Sequence, residues 1–369
     1  MPSVDIVVES EMDWSVRTRQ VASMFELENK PSQERWSFDF DLPGDWSIGL
    51  IVGASGSGKT TVGRHLFGED FAKGLSWPKN RTVIDGFDRS IPIKEVCAAL
   101  SSVGFSSPPA WLRPFDVLSN GQKFRAEVAR ALTSKDSLVV VDEFTSVVDR
   151  DVAKIGSAAV AKAVRKGSKR LVAISCHYDV IDWLQPCWVL YMPTGRLERR
   201  SVQQRPDIQI EVKRVSRSWW REFSHHHYLN HKIASSAACF VAFWNQRPTA
   251  FASSMFFPHP KRPGWREHRT VCLPDFQGVG IGNKLSEVVA AAYRATGRPY
   301  RSTTSHPAMI GYRARSQTWK MVRAPSRVAP VGRTSKMKGK IGTSSRRFTG
   351  GFEFVGRANK EHAQALGLI

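Results

Sequence analysis

An α/β chain in two unlike halves is what this sequence predicts, and three observations predict it. The stretch "WSIGLIVGASGSGKTTVGRHLFG" reads strand, glycine-rich loop, helix, and "SLVVVDEFTSVVDR" opens on a second short apolar run of the kind buried in a parallel sheet. From about residue 207 the pattern changes to alternating strands, two of them joined by a polar turn at 245–248, which predicts a mixed, mainly antiparallel sheet. Charge changes at the same place: residues 1–200 hold 26 Lys/Arg and 25 Asp/Glu, whereas residues 201–369 hold 28 and 8.

A chain of 369 residues can build two domains, each with its own core. The composition shift sets boundaries at 1–200, 201–325 and a basic C-terminal tail, 326–369. No run of 18 apolar residues occurs, so nothing is expected to span a bilayer and no membrane partner is expected. The opening "MPSVDIVVESEMDWS" is acidic and does not read as a signal peptide. The five cysteines (97, 176, 187, 239, 272) show no C-x-x-C spacing, which predicts free thiols in a cytoplasmic protein and no zinc site. The excess of positive charge in the second half points to a polyanionic partner, nucleic acid, with DNA ahead of RNA. A solvated basic surface is the plain alternative.

Each element of the first half has a job. Gly53-x4-Gly58-Lys59-Thr60 is a phosphate loop, with Ser55, Gly56, Ser57 and Thr61 completing it. Glycines let backbone N–H groups approach the phosphates of ATP, and the helix N-terminus adds positive potential. Lys59 reaches the β- and γ-phosphates, and Thr60 holds Mg²⁺. The strand at 138–141 ends in Asp142, placed beside Mg²⁺ through water, and Glu143, placed to polarise the attacking water. "RLVAISCHYDV" is a third buried strand, ending at His177. "LSNGQKFRAEVARAL" sets Ser119, Gly121 and Gln122 at the head of an amphipathic helix.

In that order these motifs resemble ABC-type ATPases over residues 15–200. The resemblance implies that the signature Ser119, Gly121 and Gln122 closes over ATP held by another copy, with Asp149 in the D-loop (146–149). An ATP-dependent homodimer, or a pairing with a partner subunit, follows, with His177 as the switch histidine at the γ-phosphate. Phe25 is a candidate to stack on adenine. Two departures matter. Only 60 residues separate Lys59 from Ser119, which leaves no room for a coiled-coil insertion. Ser106-Ser107-Pro108-Pro109 stands where the family carries its Q-loop glutamine, so the element that meets a transporter's membrane domain is rebuilt.

The second half runs strand ("DIQIEVKRV"), an aromatic and histidine-rich helix and loop, two strands, then strand–glycine turn–helix in "HRTVCLPDFQGVGIGNKLSEVVAAAYRATG", a short strand and a short helix. This order resembles the GNAT acyltransferase fold, on Gln277-x-x-Gly280-x-Gly282. The resemblance implies acyl-CoA, most simply acetyl-CoA, held by amides around Gln277, Gly278, Gly280 and Gly282. It gives Tyr312 the place of the general acid. A base could come from His225, His226, His227 or His306, since neutral histidine suits proton transfer near pH 7. The same histidines could instead ligate a metal or pack in a loop. A dinucleotide site would need Gly-x-Gly-x-x-Gly and a later acid, and neither is present. The "HHYL" stretch also resembles phage Mom-type DNA-modification proteins, which implies His226, His227 and Tyr228 in the site. Residues 311–349, with 11 Lys/Arg, read as a flexible basic arm.

The expectation is an ATP-hydrolysing, nucleic-acid-modifying enzyme. Two rivals stay open: a non-enzymatic ATP-gated nucleic-acid clamp, and an acetyltransferase for protein or small-molecule amines.

Overall fold

The structure is a computed structural model, and it describes residues 3–10, 14–25, 32–68, 76–200, 208–227, 231–259, 261–327 and 348–369. A hairpin of β1 (Ser3–Ser10) and β2 (Ser32–Asp39) brackets α1 (Val16–Met24). Then come β3 (Ile48–Val52) and α2 (Lys59–Phe67). A helical excursion follows: α3 (Ile93–Ser102), α4 (Pro108–Trp111) and α5 (Asn120–Leu132). The chain returns through β4 (Leu138–Val141), α6 (Arg150–Lys166), β5 (Arg170–Ser175), α7 (Val180–Leu184), β6 (Trp188–Tyr191) and β7 (Arg196–Arg199). These strands form one five-stranded sheet, ordered β4-β5-β3-β6-β7 and parallel except for β7. Every residue of β3 is buried, as a central parallel strand requires. The core of this sheet gathers on Trp188, whose indole meets the rings of Phe40, Trp46 and Phe67.

The remainder holds β8 (Glu211–Val215), α8 (Trp220–Ser224), β9 (Ala238–Trp244), β10 (Arg247–Phe257), β11 (Gly264–Cys272) and α9 (Ile281–Arg294). It ends with β12 (Tyr300–Thr304), α10 (Pro307–Arg315), β13 (Trp319–Arg327), β14 (Phe348–Phe354) and α11 (Lys360–Ala365). Among the described residues, the seven strands are ordered β13-β14-β12-β11-β10-β9-β8, and only β11 and β12 pair in parallel. Period-two alternation divides the strands between two cores. Phe240 and Ala242 of β9 face α9 with Leu285 and Val289, whereas Cys239 and Val241 face Trp220 and Phe223 of α8.

The expected basic arm, 311–349, proves partly built into this sheet. Trp319 heads β13 and is 4 % exposed, and β14 lies between β12 and β13, with Phe352 fully buried. Phe352 and Phe354, two positions apart and both buried, pull that segment in despite its two glycines. Residues 328–347 lie outside the described residues.

The chain divides into two compact units. One comprises Met1–Leu75, Ser134–Val147 and Val164–Arg205; the other comprises Ser76–Thr133, Val148–Ala163 and Pro206–Ile369. The helix that carries Ser119–Gln122 therefore belongs to the same unit as the seven-stranded sheet.

Candidate functional site

In the first unit, the loop between β3 and α2 makes the sharp turn expected of a phosphate cradle. Gly56 and Gly58 take φ of +78° and +83°. A Cβ on Gly58 would run into the Trp36 indole at 2.3 Å, so no other residue fits there. Ser57 Oγ is buried without a hydrogen-bond partner among the described residues. Lys59, 9 % exposed, curls over the loop and donates to Ala54 O at 2.6 Å. Gly53, Ser55 and Thr61 complete the turn. An orphaned hydroxyl, a lysine bonded only to loop carbonyl and the N-terminus of a nine-residue helix all fit the phosphates of ATP. Lys59→Ala should weaken nucleotide binding by about 10- to 100-fold or more, the size of a lost charged hydrogen bond, read by titration with a fluorescent ATP analogue.

Across the sheet, Thr60 Oγ1 donates to Asp142 Oδ1 at 3.2 Å, which brings both expected Mg²⁺ groups together. This donor pair suits an ion that keeps several waters. Beyond Asp142 the backbone doubles back: Glu143 and Thr145 take φ of +52° and +65°. Such φ costs about 1–3 kcal/mol for a side-chain-bearing residue and needs firm support. The support is Phe144, fully buried, whose N–H donates to Ile174 O. Ser175 Oγ donates to Phe144 O at 3.0 Å and accepts from His177 N at 3.1 Å. One hydroxyl thus ties the Glu143 turn to the His177 turn. Sequence reading missed Ser175, because a serine ending a buried strand carries no distinctive signal. Phe25, by contrast, is 70 % exposed at the end of α1.

In the second unit, Ser119 and Gln122 form a capping box at the head of α5. Ser119 Oγ accepts from Gln122 N, and Gln122 Oε1 accepts from Ser119 N at 3.2 Å. Asp149, in the loop before α6, accepts from Asp151 N, and Arg247 lies 3.6 Å from its carboxylate. Three residues on from Gln122, Arg125 is fully buried. Its guanidinium donates to Gly104 O, to Pro274 O and, at 2.7 Å, to Asp275 O. Burial pulls its pKa down to about 10, which still leaves it charged at neutral pH.

The residues expected around acyl-CoA meet other partners. Gln277 Oε1 accepts from Ser106 N at 2.6 Å, and Gln277 Nε2 donates to Cys272 O at 2.8 Å. His306 Nε2 donates to Ser106 O at 2.9 Å, and burial lowers its pKa. Both backbone groups of Ser106 are therefore gripped from the seven-stranded sheet. Gly278 and Gly104 sit back to back with φ of +97° and +88°; a Cβ on Gly278 would come within 2.6 Å of Gly104 Cα. Gly280, with φ +99°, has open space beside it at the start of α9, and Gly282 lies near Cys272. Tyr312 donates its hydroxyl to Glu287 Oε1 at 2.8 Å; burial and that carboxylate push its pKa up to about 12.

The histidines after α8 do not gather into one centre. His227 is buried edge-on to Trp220, and His225 lies beside His231, whose Nδ1 donates to Ser224 O. Burial, then neighbouring His225, keeps the pKa of His226 below its usual value. Tyr228 lies outside the described residues. Among the described residues, no three His, Cys, Asp or Glu converge as metal ligands, and no helix is long and apolar enough to cross a membrane.

No protein-family model matches the chain. It is similar to the methionine import ATP-binding protein MetN of Cutibacterium acnes, 30% identical over 149 residues, covering 28% of this chain and 39% of that protein. It is similar also to ABC multidrug transporter E of Aspergillus fumigatus, 30% identical over 112 residues, covering 30% of this chain and 9% of that one. The chain thus spans well under half the length of either relative. With the site just described, these relatives define an ABC-type ATPase domain over roughly the N-terminal half. Among solved structures, the dimeric bacterial ABC transporter cassette MJ0796 overlaps it with a TM-score of 0.38 at 16% identity, covering 46% of this chain and 94% of that one. Its post-hydrolysis form bound to ADP and Pi gives 0.40 at 14%, covering 53% and 97%. None of these matches identifies the seven-stranded sheet.

Proposed function

We propose that this chain is an ATP-hydrolysing, ATP-dependent homodimer whose cycle drives its own C-terminal unit on nucleic acid. The carrying observation is the grip on Ser106. The segment that stands where a transporter cassette meets its membrane partner is held here by Gln277 and His306, and Arg125 of the signature helix is held by Pro274 and Asp275. Movement of the signature-bearing helix then carries the seven-stranded sheet with it. ATP, with Mg²⁺, supplies the free energy; Lys59 and the loop amides orient its phosphates, Glu143 polarises water, and Ser119–Gln122 of a second copy completes the site. Nucleic acid, DNA ahead of RNA, is supported by the net charge of +20 over residues 201–369. The free cysteines suit a cytoplasmic setting.

DNA should stimulate ATP hydrolysis by the full-length protein. Gln277→Ala with His306→Ala should remove the stimulation and leave the basal rate. A parent indifferent to DNA would sink the nucleic-acid reading; stimulation that survives the double substitution would sink the route through Ser106.

A second reading, Mom-type base modification by acyl transfer in a phage context, is favoured by one observation. The one parallel pair among the described strands of the sheet, β11 and β12, leads on one side into a glycine turn and α9, whose first amides beside Gly280 are open. Gln277, committed to Ser106, is unavailable to an acyl-CoA. Nucleoside mass profiles of cells expressing the parent decide that point.

A further inference from the structure

A cavity of about 770 Å³ runs along α9, bounded by Thr318, by Phe354 at the end of β14 and by the chain from Arg357 to His362. Its floor is apolar, with Val288, Ala291 and Ala295 of α9 beside Phe354. Its rim carries Lys284, Arg294, Arg357 and Lys360. The wall is built in rather than draped: Asn359 N–H donates to Ala291 O at 3.1 Å, Val355 N–H donates to Thr318 O at 2.8 Å, and Ala363 and Leu366 join the core under α9. A smaller apolar hollow of about 280 Å³ continues it past Lys284 and Val288, towards Ile210 and Val212.

The charges are not neutralised locally. Ion pairs of this part of the chain draw on Arg262, Arg301 and Arg313, and none of the four rim cations joins one among the described residues. Of the two lining carboxylates, Glu287 accepts from both Tyr312 and Thr318, and Glu361 is exposed on the rim.

We propose that this groove is the track of a nucleic-acid backbone, which rests on the nucleic-acid reading above and names its contact surface. Spacing selects the polymer. Lys284 and Arg294 stand ten residues apart on one helix, about 15 Å along its axis. One strand of nucleic acid places about four phosphates over that length. A lone phosphate or pyrophosphate reaches only one end, so only a repeating anion engages the whole rim. The apolar hollow beside it receives a sugar face.

The test uses the full-length protein and a labelled oligonucleotide duplex, with affinity measured by anisotropy across a salt series. Arg294→Ala, Arg357→Ala and Lys360→Ala together should flatten the slope of log affinity against log salt by about 2 to 3, because three phosphate contacts no longer release counterions. Removing the same charge elsewhere, by Arg89→Ala, Lys94→Ala and Lys135→Ala, should leave the slope in place. Thermal midpoints check that both triples fold. Equal flattening in the two triples, or none in the groove triple while the parent binds, overturns the track and leaves nucleic-acid binding standing. A parent that binds no duplex removes both readings. Full displacement of the duplex by stoichiometric thymidine 3′,5′-bisphosphate assigns the groove to a mononucleotide and also overturns the proposal.

Discussion

Glu143→Gln should bind Mg–ATP as the parent does and hydrolyse it about 10²- to 10⁴-fold more slowly, the usual contribution of a positioned base. That is about 3 to 5 kcal/mol on the barrier. The substitution keeps shape and removes the charge proposed to draw a proton from water, while Lys59, Thr60 and Asp142 are untouched. Placement makes the effect large. Glu143 sits on a positive-φ turn, one residue before the fully buried Phe144, and Ser175 anchors that turn. Such a turn sets the direction in which the exposed side chain of Glu143 leaves the backbone, and proton transfer from a single water depends on that orientation. If two copies share the site as proposed, slow hydrolysis should also accumulate a closed dimer, because uncleaved ATP would hold the copies together. Phosphate release and sedimentation with Mg–ATP read the two effects separately. Turnover close to the parent's would reassign the base. A protein that stays monomeric with ATP would sink the two-copy site even if turnover falls.

The ATP site was legible because its chemistry is written in consecutive residues. Gly53 to Thr61 needs particular residues at particular offsets, and the apolar run before Asp142 has few structural solutions. Ser119 and Gln122 were legible twice over, since S-x-x-Q is also a capping signal. The alternation of "ACFVAFW" likewise announced a strand facing two cores. What escaped the sequence is long-range pairing. Gln277 and Ser106 lie 171 residues apart, and His306 and Ser106 lie 200 apart. A glutamine beside glycines reads as an anion site, and a histidine before a helix reads as a base. The same groups also suit gripping a peptide N–H and C=O, and side-chain chemistry alone does not choose. The one clue was negative: the glutamine absent at 106. The basic arm misled for a different reason. Its charge density suggested a solvated tail, and the apolar residues that carry it into the sheet, Trp319, Phe352 and Phe354, lie at its margins.

Glu267→Ala should destabilise the second unit by about 3–5 kcal/mol, the cost of leaving a buried charge without its partner. Glu267 of β11 and Arg313 of α10 are 8 % and 1 % exposed and meet at 2.9 Å. The carboxylate also accepts from Thr270 at 2.7 Å, Ser286 at 2.6 Å and Ser302. Burial alone would raise its pKa; Arg313 and the hydroxyls outweigh burial and hold it below the usual value. A lowered folded pKa means that the stabilisation is present above the unfolded carboxylate's pKa and fades as pH falls through the folded one, so the loss belongs to strongly acid solution. The position matters for function. Register pairing of β11 with β12 covers only Trp265 with Tyr300 and Arg266 with Arg301, and Glu267 and Ser302 come next on each strand. This network links the two parallel strands just beyond their paired residues. A ligand threading between the strands at that point would have to displace a satisfied ion pair, which weighs against acyl transfer there. Hydrogen exchange at β11 and β12 should rise in Glu267→Ala, by the factor its lost stability implies. Glu267→Met combined with Arg313→Met should recover most of that protection, since a well-packed apolar pair replaces a buried ion pair at little cost. Protection unchanged in the single variant would show that β11 and β12 are held together by something other than this pair.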